Sequence, residues 1–274
     1  MENRTDLAFE SYENQGKSAL CGVKVTEKNG ISVVQVLNSQ GEKAIGKPVG
    51  KYITCKVSSF VSDTDIFDGR LEKVSALLEG LMPQGNGCVL VAGVGNTCIT
   101  ADALGPVTNK YVLATRHITE ELRRSSGFEN LRSVATISTG VLGETGIETA
   151  EIIKGVVAQI HPDCVIVVDA LASSSPRRLG TTVQLSDTGI SPGSGVGNHR
   201  HEISQRVLGV PVVSVGIPTV VSTRNLDSGS GEEMYVTPRE IDRITEQGAK
   251  LIGMAINVCL QKGMNPKELY ALVG

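Results

Sequence analysis

Apolar and polar residues alternate with period two through Cys21–Lys28, Ile31–Val36 and Tyr52–Val57, with Asn29-Gly30 as a turn between the first two. Such alternation, punctuated by turn residues, predicts β hairpins over residues 1–66. From Asp68 the spacing changes. Leu71, Val74, Leu77, Leu78 and Leu81 recur at helical intervals up to Pro83 and Gly85. Continuous apolar runs follow at Cys88–Gly93, Cys164–Val168 and Pro211–Val215, with a weaker one at Val134–Ser138. These read as strands covered on both faces. Helical patterns fall between them at about 101–114, 146–158 and 201–207. Thr237-Pro238-Arg239-Glu240 offers an N-cap, a proline at the first helical position and a capping-box glutamate for a last helix that runs to Gly263. Asn225–Glu233 reads as a loop. Strand and helix thus alternate along one α/β domain, residues 1–274, in which the N-terminal hairpins extend or cover one edge. The expected architecture is a mostly parallel sheet with helices on both faces.

Composition narrows the function more than the fold. The chain is 40% apolar and 20% charged, which is globular, and its net charge of −3 provides no basic footprint for nucleic acid. With no Trp, 4 Phe and 5 Tyr, it lacks the aromatic platform that single-stranded nucleic acids stack on. No apolar segment follows the charged N-terminus, and the long uncharged stretch Val207–Thr223 is broken by Pro211 and Pro218. Neither a signal peptide nor a membrane span is expected. The 6 cysteines are scattered without a CxxC pair, as for reduced thiols in a cytoplasmic protein.

In a parallel sheet, ligands bind beyond the carboxyl ends of the strands, so the residues after the apolar runs are the place to look. Gly93-Val-Gly-Asn96 follows the first run, but Cys98 stands where a dinucleotide fingerprint needs its third small residue. No P-loop is present, and Ser194 lacks the glycine spacing of a nucleophile elbow. Two carboxylates remain on the same edge. Asp102 is expected in the first turn of a helix capped by Thr100, where an acid also suits the helix dipole. Asp169 ends the apolar run Val165–Val168 and is expected to be buried, although a loop-capping role is open to it. Two carboxyls in one cleft can divide the work of acid–base catalysis, one activating water and the other donating a proton. The alternative is a metal held with His117 or His199. The loop Ser186–Asn198 is dense in glycine and hydroxyl residues, and its backbone can line a cleft. From these segments Asn96, Asp187, Thr188, Gly193, Ser194 and Gly195 are candidates for substrate contact.

Several long motifs resemble the germination protease family, the spore endopeptidases that act on small acid-soluble spore proteins. They are Arg4-Thr-Asp-Leu-Ala, Gly93-Val-Gly-Asn, Thr100-Ala-Asp-Ala-Leu-Gly-Pro, Thr115-Arg-His, Gly140-Val-Leu-Gly-Glu-Thr-Gly-Ile-Glu-Thr, Val168-Asp-Ala-Leu-Ala, Ser186-Asp-Thr-Gly-Ile-Ser-Pro-Gly-Ser-Gly-Val-Gly-Asn, Gly216-Ile-Pro-Thr-Val-Val and Tyr235-Val-Thr-Pro-Arg-Glu-Ile-Asp. The resemblance implies an atypical aspartic endopeptidase on a fold like that of the hydrogenase-maturation proteases, with Asp102 and Asp169 as its catalytic pair and no metal or other cofactor. It further implies a homotetramer in the spore core, made as a zymogen during sporulation. Small acid-soluble spore proteins would be the substrate, with no direct nucleic-acid or membrane partner. Three departures accompany it. Only Met1-Glu2-Asn3 precede Arg4, where family precursors carry a pro-segment; the stretch between Val221 and Met234 is short; and no histidine matches the metal ligand of the maturation proteases. The competing readings are a non-catalytic spore-related binding protein on the same fold and a metal-linked maturation protease.

Overall fold

The computed structural model describes residues 5–16, 19–119, 121, 124, 131–197, 200–225 and 234–273. Nine strands form one sheet: β1 (Val23–Lys28), β2 (Ile31–Val36), β3 (Gly50–Lys56), β4 (Val89–Gly93), β5 (Val134–Ser138), β6 (Cys164–Ser173), β7 (Thr182–Ser186), β8 (Val212–Ser222) and β9 (Tyr235–Val236). The order across it is β1-β2-β3-β7-β8-β6-β4-β5, with β9 paired to β8. Only the β8-β6-β4-β5 portion is parallel; β1-β2-β3-β7-β8 and β8-β9 are antiparallel. The sheet is therefore mixed, which corrects the mostly parallel expectation.

The correction traces to β7. Thr182-Val-Gln-Leu-Ser186 alternates instead of forming an apolar run, and it joins the N-terminal hairpins to the parallel half. Val183 and Leu185 enter the main core, while Thr182, Gln184 and Ser186 project from the opposite face. The same division runs through the neighbouring strands. Val89 and Val91 of β4 and Ile166 and Val168 of β6 pack beneath the helices Arg70–Glu79, Ile241–Leu260 and Pro266–Val273. Leu90, Ala92, Val165 and Val167 meet Ile153 and Val157 of the helix Thr149–Ile160 on the other side. A third cluster joins Phe9 to Val34, Val36, Ile45 and Tyr52 and seats the helix Ala8–Asn14 on the hairpins. Each such side chain contributes about 1.5–3 kcal/mol through removal from water.

Two helix starts differ from expectation. Residues 101–114 form a 3-10 turn at Thr100–Asp102, a short helix at Leu104–Thr108 and a second turn at Asn109–Tyr111. Pro106 removes one backbone donor, and the Asn109 amide leaves to donate to Ile137 O at 2.8 Å. Thr100 makes no side-chain cap. The last long helix begins at Ile241, because the Thr237 hydroxyl donates to Thr219 O of β8 at 2.7 Å and is not available as a cap. The expected loop at 225–233 falls largely outside the described residues.

The Leu104–Thr108 helix crosses the end of β4 at a glycine pair. A Cβ on Gly105 would overlap backbone atoms of Val94 and Val168, and one on Gly93 would overlap the Gly105 carbonyl. Gly105→Ala should destabilise the protein by about 1–3 kcal/mol, read from the midpoint of chemical denaturation, because no flexible side chain can yield. Gly155→Ala serves as the control, since open space surrounds that helix position.

Candidate functional site

β6 is longer than its neighbour β4. The last β4 residue, Gly93, pairs with Val168, so β6 runs on alone along that edge through Asp169. Asp169 is only 6% exposed, and its Oδ1 accepts the Ala170 N–H at 2.9 Å. Across the ladder its partner on β8 is Gly216, where any Cβ would collide with the Asp169 carbonyl and the Leu171 side chain. A backbone irregularity follows at once, as the β6–β8 register shifts between Leu171 and Ala172.

Asp102 follows β4. Its N–H donates to Ile99 O at 2.8 Å to close the 3-10 turn, and its Oδ2 accepts the Asn96 N–H at 2.9 Å. Gly95 lets this loop fold tightly: it holds φ +131°, and a Cβ there would overlap the Asp102 carbonyl. The Thr245 hydroxyl donates to Thr100 O at 3.0 Å, fastening the turn to the Ile241–Leu260 helix. Asp102 is thus half-buried on a braced turn.

A cleft of about 1340 Å³ opens over the polar face of β7, β8 and β6, between the N-terminal hairpins and the segment around Ser204–Arg206. Among the described residues its lining includes Asp169, Asp187, Thr188, Gly193 and Ser194 but not Asn96, Asp102 or Gly195. Asn96 acts at Asp102 through its backbone. Asp187 is occupied in fixing the start of β3, since its Oδ1 accepts the Lys51 N–H at 2.8 Å. Thr188 Oγ1 lies 2.8 Å from Ser186 Oγ in a hydroxyl pair on the cleft floor. Ser194 donates to Asp6 Oδ1 at 2.7 Å, and Gly195 packs so closely on Asp6 and Ala172 that a Cβ would not fit.

The sequence pattern alone did not single out Asp6, Lys47, Gln184 or Glu144. Asp6 and Gln184 line the cleft, as does Lys47, whose Nζ donates to Thr5 O at 3.0 Å. Glu144 faces Asp102 as a like charge. Asp6 and Glu144 stand in two of the family-like motifs, but no local spacing gives any of the four a role, because each reaches the site from a distant segment. His117 is elsewhere: the turn that carries it is bonded to Val134, at the beginning of β5 and so at the opposite edge of the sheet. His199 lies outside the described residues. Among those described, no three His, Cys, Asp or Glu residues gather as metal ligands. No helix among them is long and apolar enough to cross a membrane.

Electrostatics separates the two acids. Burial holds the Asp169 carboxyl well above the usual carboxylate range, and the negative charges of Asp102 and then Asp6 push it further. Asp102 is raised by burial and by Glu144, and the Asn96 N–H opposes the rise. Asp102 ionises first, facing a neutral Asp169, so it does not feel the repulsion that Asp169 later meets. The arrangement favours a carboxylate at Asp102 beside a protonated acid at Asp169.

These features define an α/β protein with a polar cleft and two neighbouring acids of opposite protonation preference. The sequence profile of the germination protease family matches residues 2–230. Germination protease of Caldanaerobacter subterraneus subsp. tengcongensis is 40% identical, with 98% of both chains covered. That of Clostridium perfringens is 37% identical over 95% of this chain and 96% of its own, and that of Clostridium tetani 36% identical over 98% of each. The chain belongs to the germination protease family, which is a family of peptidases.

A group whose folded pKa is raised contributes stability at low pH that is lost as pH rises through the folded value. Asp169 therefore costs stability as pH rises above the ordinary carboxylate range, by about 1.4 kcal/mol for each pH unit until its folded value is passed. Asp169→Asn should melt at a higher temperature than the parent at pH 7–8, and the two curves should converge toward pH 4. A constant offset across that range would contradict the assigned protonation.

Proposed function

We propose that the protein is an endopeptidase that initiates degradation of small acid-soluble spore proteins during germination, and that Asp102 and Asp169 activate the attacking water. The observation that carries this reading is the pairing of an ionisable, half-buried Asp102, on the turn that follows β4, with a nearly buried Asp169 in the adjacent parallel strand β6. Family membership supports the peptidase class, and a polar cleft of about 1340 Å³ lies over Asp169.

In this mechanism the Asp102 carboxylate takes a proton from water as the water oxygen bonds to the scissile carbonyl carbon. Asp169, protonated, donates to the carbonyl oxygen and stabilises the charge that develops there. When the tetrahedral intermediate collapses, the C–N bond breaks and the proton held by Asp102 passes to the departing amine. Asp169 recovers its proton as the carbonyl re-forms. The burial that makes Asp169 a poor carboxylate makes it a useful acid at neutral pH. Loop residues 186–197, with Asn96, would then border the bound peptide. No cofactor is needed. The spore core as compartment, zymogen control during sporulation and a homotetrameric assembly belong to the same reading, drawn from the family resemblance.

Asp102→Asn and Asp169→Asn should each lower cleavage of a purified small acid-soluble spore protein by about 10³-fold or more while circular dichroism stays unchanged. Near-parental activity in either variant refutes the pair. Incubation with a chelator should leave the rate unaltered; its loss, with recovery on adding a divalent ion, would replace the water-activating pair with a metal site.

A further inference from the structure

Beyond Val168 no strand among the described residues lies along one edge of β6, yet its backbone groups are buried and need partners. The N-terminal segment supplies them. Asp6 N–H donates to Ala172 O at 2.9 Å, and Asp6 Oδ2 accepts the Ala172 N–H at 2.8 Å. One residue thus satisfies both backbone groups of Ala172, directly after the register shift and three positions along the strand from Asp169. The other carboxylate oxygen, Oδ1, accepts the Ser194 hydroxyl and so ties down the glycine-rich loop. Gly195 sits against Oδ2 with no room for a side chain. The Asp6 carbonyl accepts Gln184 Nε2 at 2.9 Å, and Gln184 Oε1 accepts the Ala8 N–H at 3.1 Å, which locks the segment onto β7.

We propose that Asp6 is a positioning residue of the peptidase site: its carboxylate clamps the end of β6 to the glycine-rich loop and places a fixed negative charge next to Asp169. The inference rests on the Asp102–Asp169 reading above. Asp6 makes no contribution to bond breaking. It acts on Asp169 in two ways, through the strand that carries it and through a field that favours its neutral form. Charged groups from several elements surround Asp6. Lys47 faces it from the loop after the Ser39–Ile45 helix; burial lowers the pKa of this amine, and the charges of Asp6 and then Glu10 oppose that fall. Glu10, from the Ala8–Asn14 helix, is a second acid nearby, but it is engaged by Arg178 at 3.0 Å and by Ser173 at 2.6 Å. Asp169 faces it from β6, and Asp102, on the turn after β4, is the other negative charge acting on Asp169.

The sign follows from the charge. Without the Asp6 anion, Asp169 releases its proton more readily, so the alkaline limb of the rate–pH profile moves to lower pH. Asp6→Asn should shift that limb of kcat down by on the order of half a pH unit or more. It should also lower kcat about tenfold or more through loss of the clamp, with a smaller effect on KM. Asp6→Glu keeps the charge on a longer arm, so it should lose rate while its limb stays at the parental pH. A purely structural residue would lower the rate at every pH without displacing the limb. An Asp6→Asn profile with the parental limb overturns the proposal, as does a displaced limb in Asp6→Glu if the Asn variant fails to fold. A second readout separates this from the underlying mechanism. The pH dependence of unfolding stability should be shallower in Asp6→Asn than in the parent, and Asp6→Asn should add nothing to it in an Asp169→Asn background. An active Asp169→Asn enzyme would sink the catalytic pair; an inactive one with an undisplaced Asp6→Asn profile would sink the role of Asp6 alone.

Discussion

The structure depends on keeping a carboxyl group out of water within a central strand, just past the end of its parallel neighbour. An enclosed acid is tolerated only if it stays neutral or finds strong donors, and Asp169 has one backbone N–H and two negative neighbours. Its surroundings therefore have to be built around the protonated form. Gly216 leaves space beside it, the braced turn holds Asp102 near it, and the N-terminal segment closes the open edge of its strand. Each of these comes from a different part of the chain. The site is consequently a product of the complete fold and not of any local motif.

This dependence explains the glycine pattern. Gly93 and Gly105 permit the helix after Asp102 to lie directly on the strand ends, and Gly95 lets the intervening loop turn back on the Asp102 carbonyl. Side chains at these points would lift the turn away from β6 and lengthen the distance between the acids. Gly195 plays the matching part on the far side, where the loop backbone meets Asp6. Close approach of backbones, more than conformational freedom, is what most of these positions require. A composition rich in glycine and poor in aromatics fits such packing, in which bulky rings would separate layers that must touch.

Much of the fold was legible in the sequence, and the failures have definite causes. Strands β1 to β6 and β8 follow from alternation or from apolar runs, because their burial is reported by their own residues. β7 escaped because it is apolar on one face only and its five residues include Gln184 and Ser186, which line the cleft, and Thr182. Asp102 and Asp169 stand on one edge in the sequence reading because each comes after an apolar run, and the structure sets them after β4 and in β6, which pair directly. The helix expected around Asp102 did not survive Pro106 and the pull of Asn109 toward β5. Asp6 and Lys47 were illegible for another reason: their partners lie more than a hundred residues away or across a loop, and no local spacing encodes that meeting.

The alternation within each strand also separates stability from chemistry. Val183, Leu185, Val213, Val215, Ile166 and Val168 turn toward one face and form the main apolar core there. Their neighbours Gln184, Ser186, Ser214 and Asp169 turn the other way, into a cleft floor that is buried and polar. A sheet with helices packed uniformly on both faces would have to fill those positions with aliphatic side chains. Here the antiparallel half opens the second face, because the hairpins and the N-terminal helix cover only part of it. The first face can then carry the energetic cost of polar burial on the second. That asymmetry is what lets strands made mostly of valine and isoleucine hold an acid in its neutral state beside a cleft.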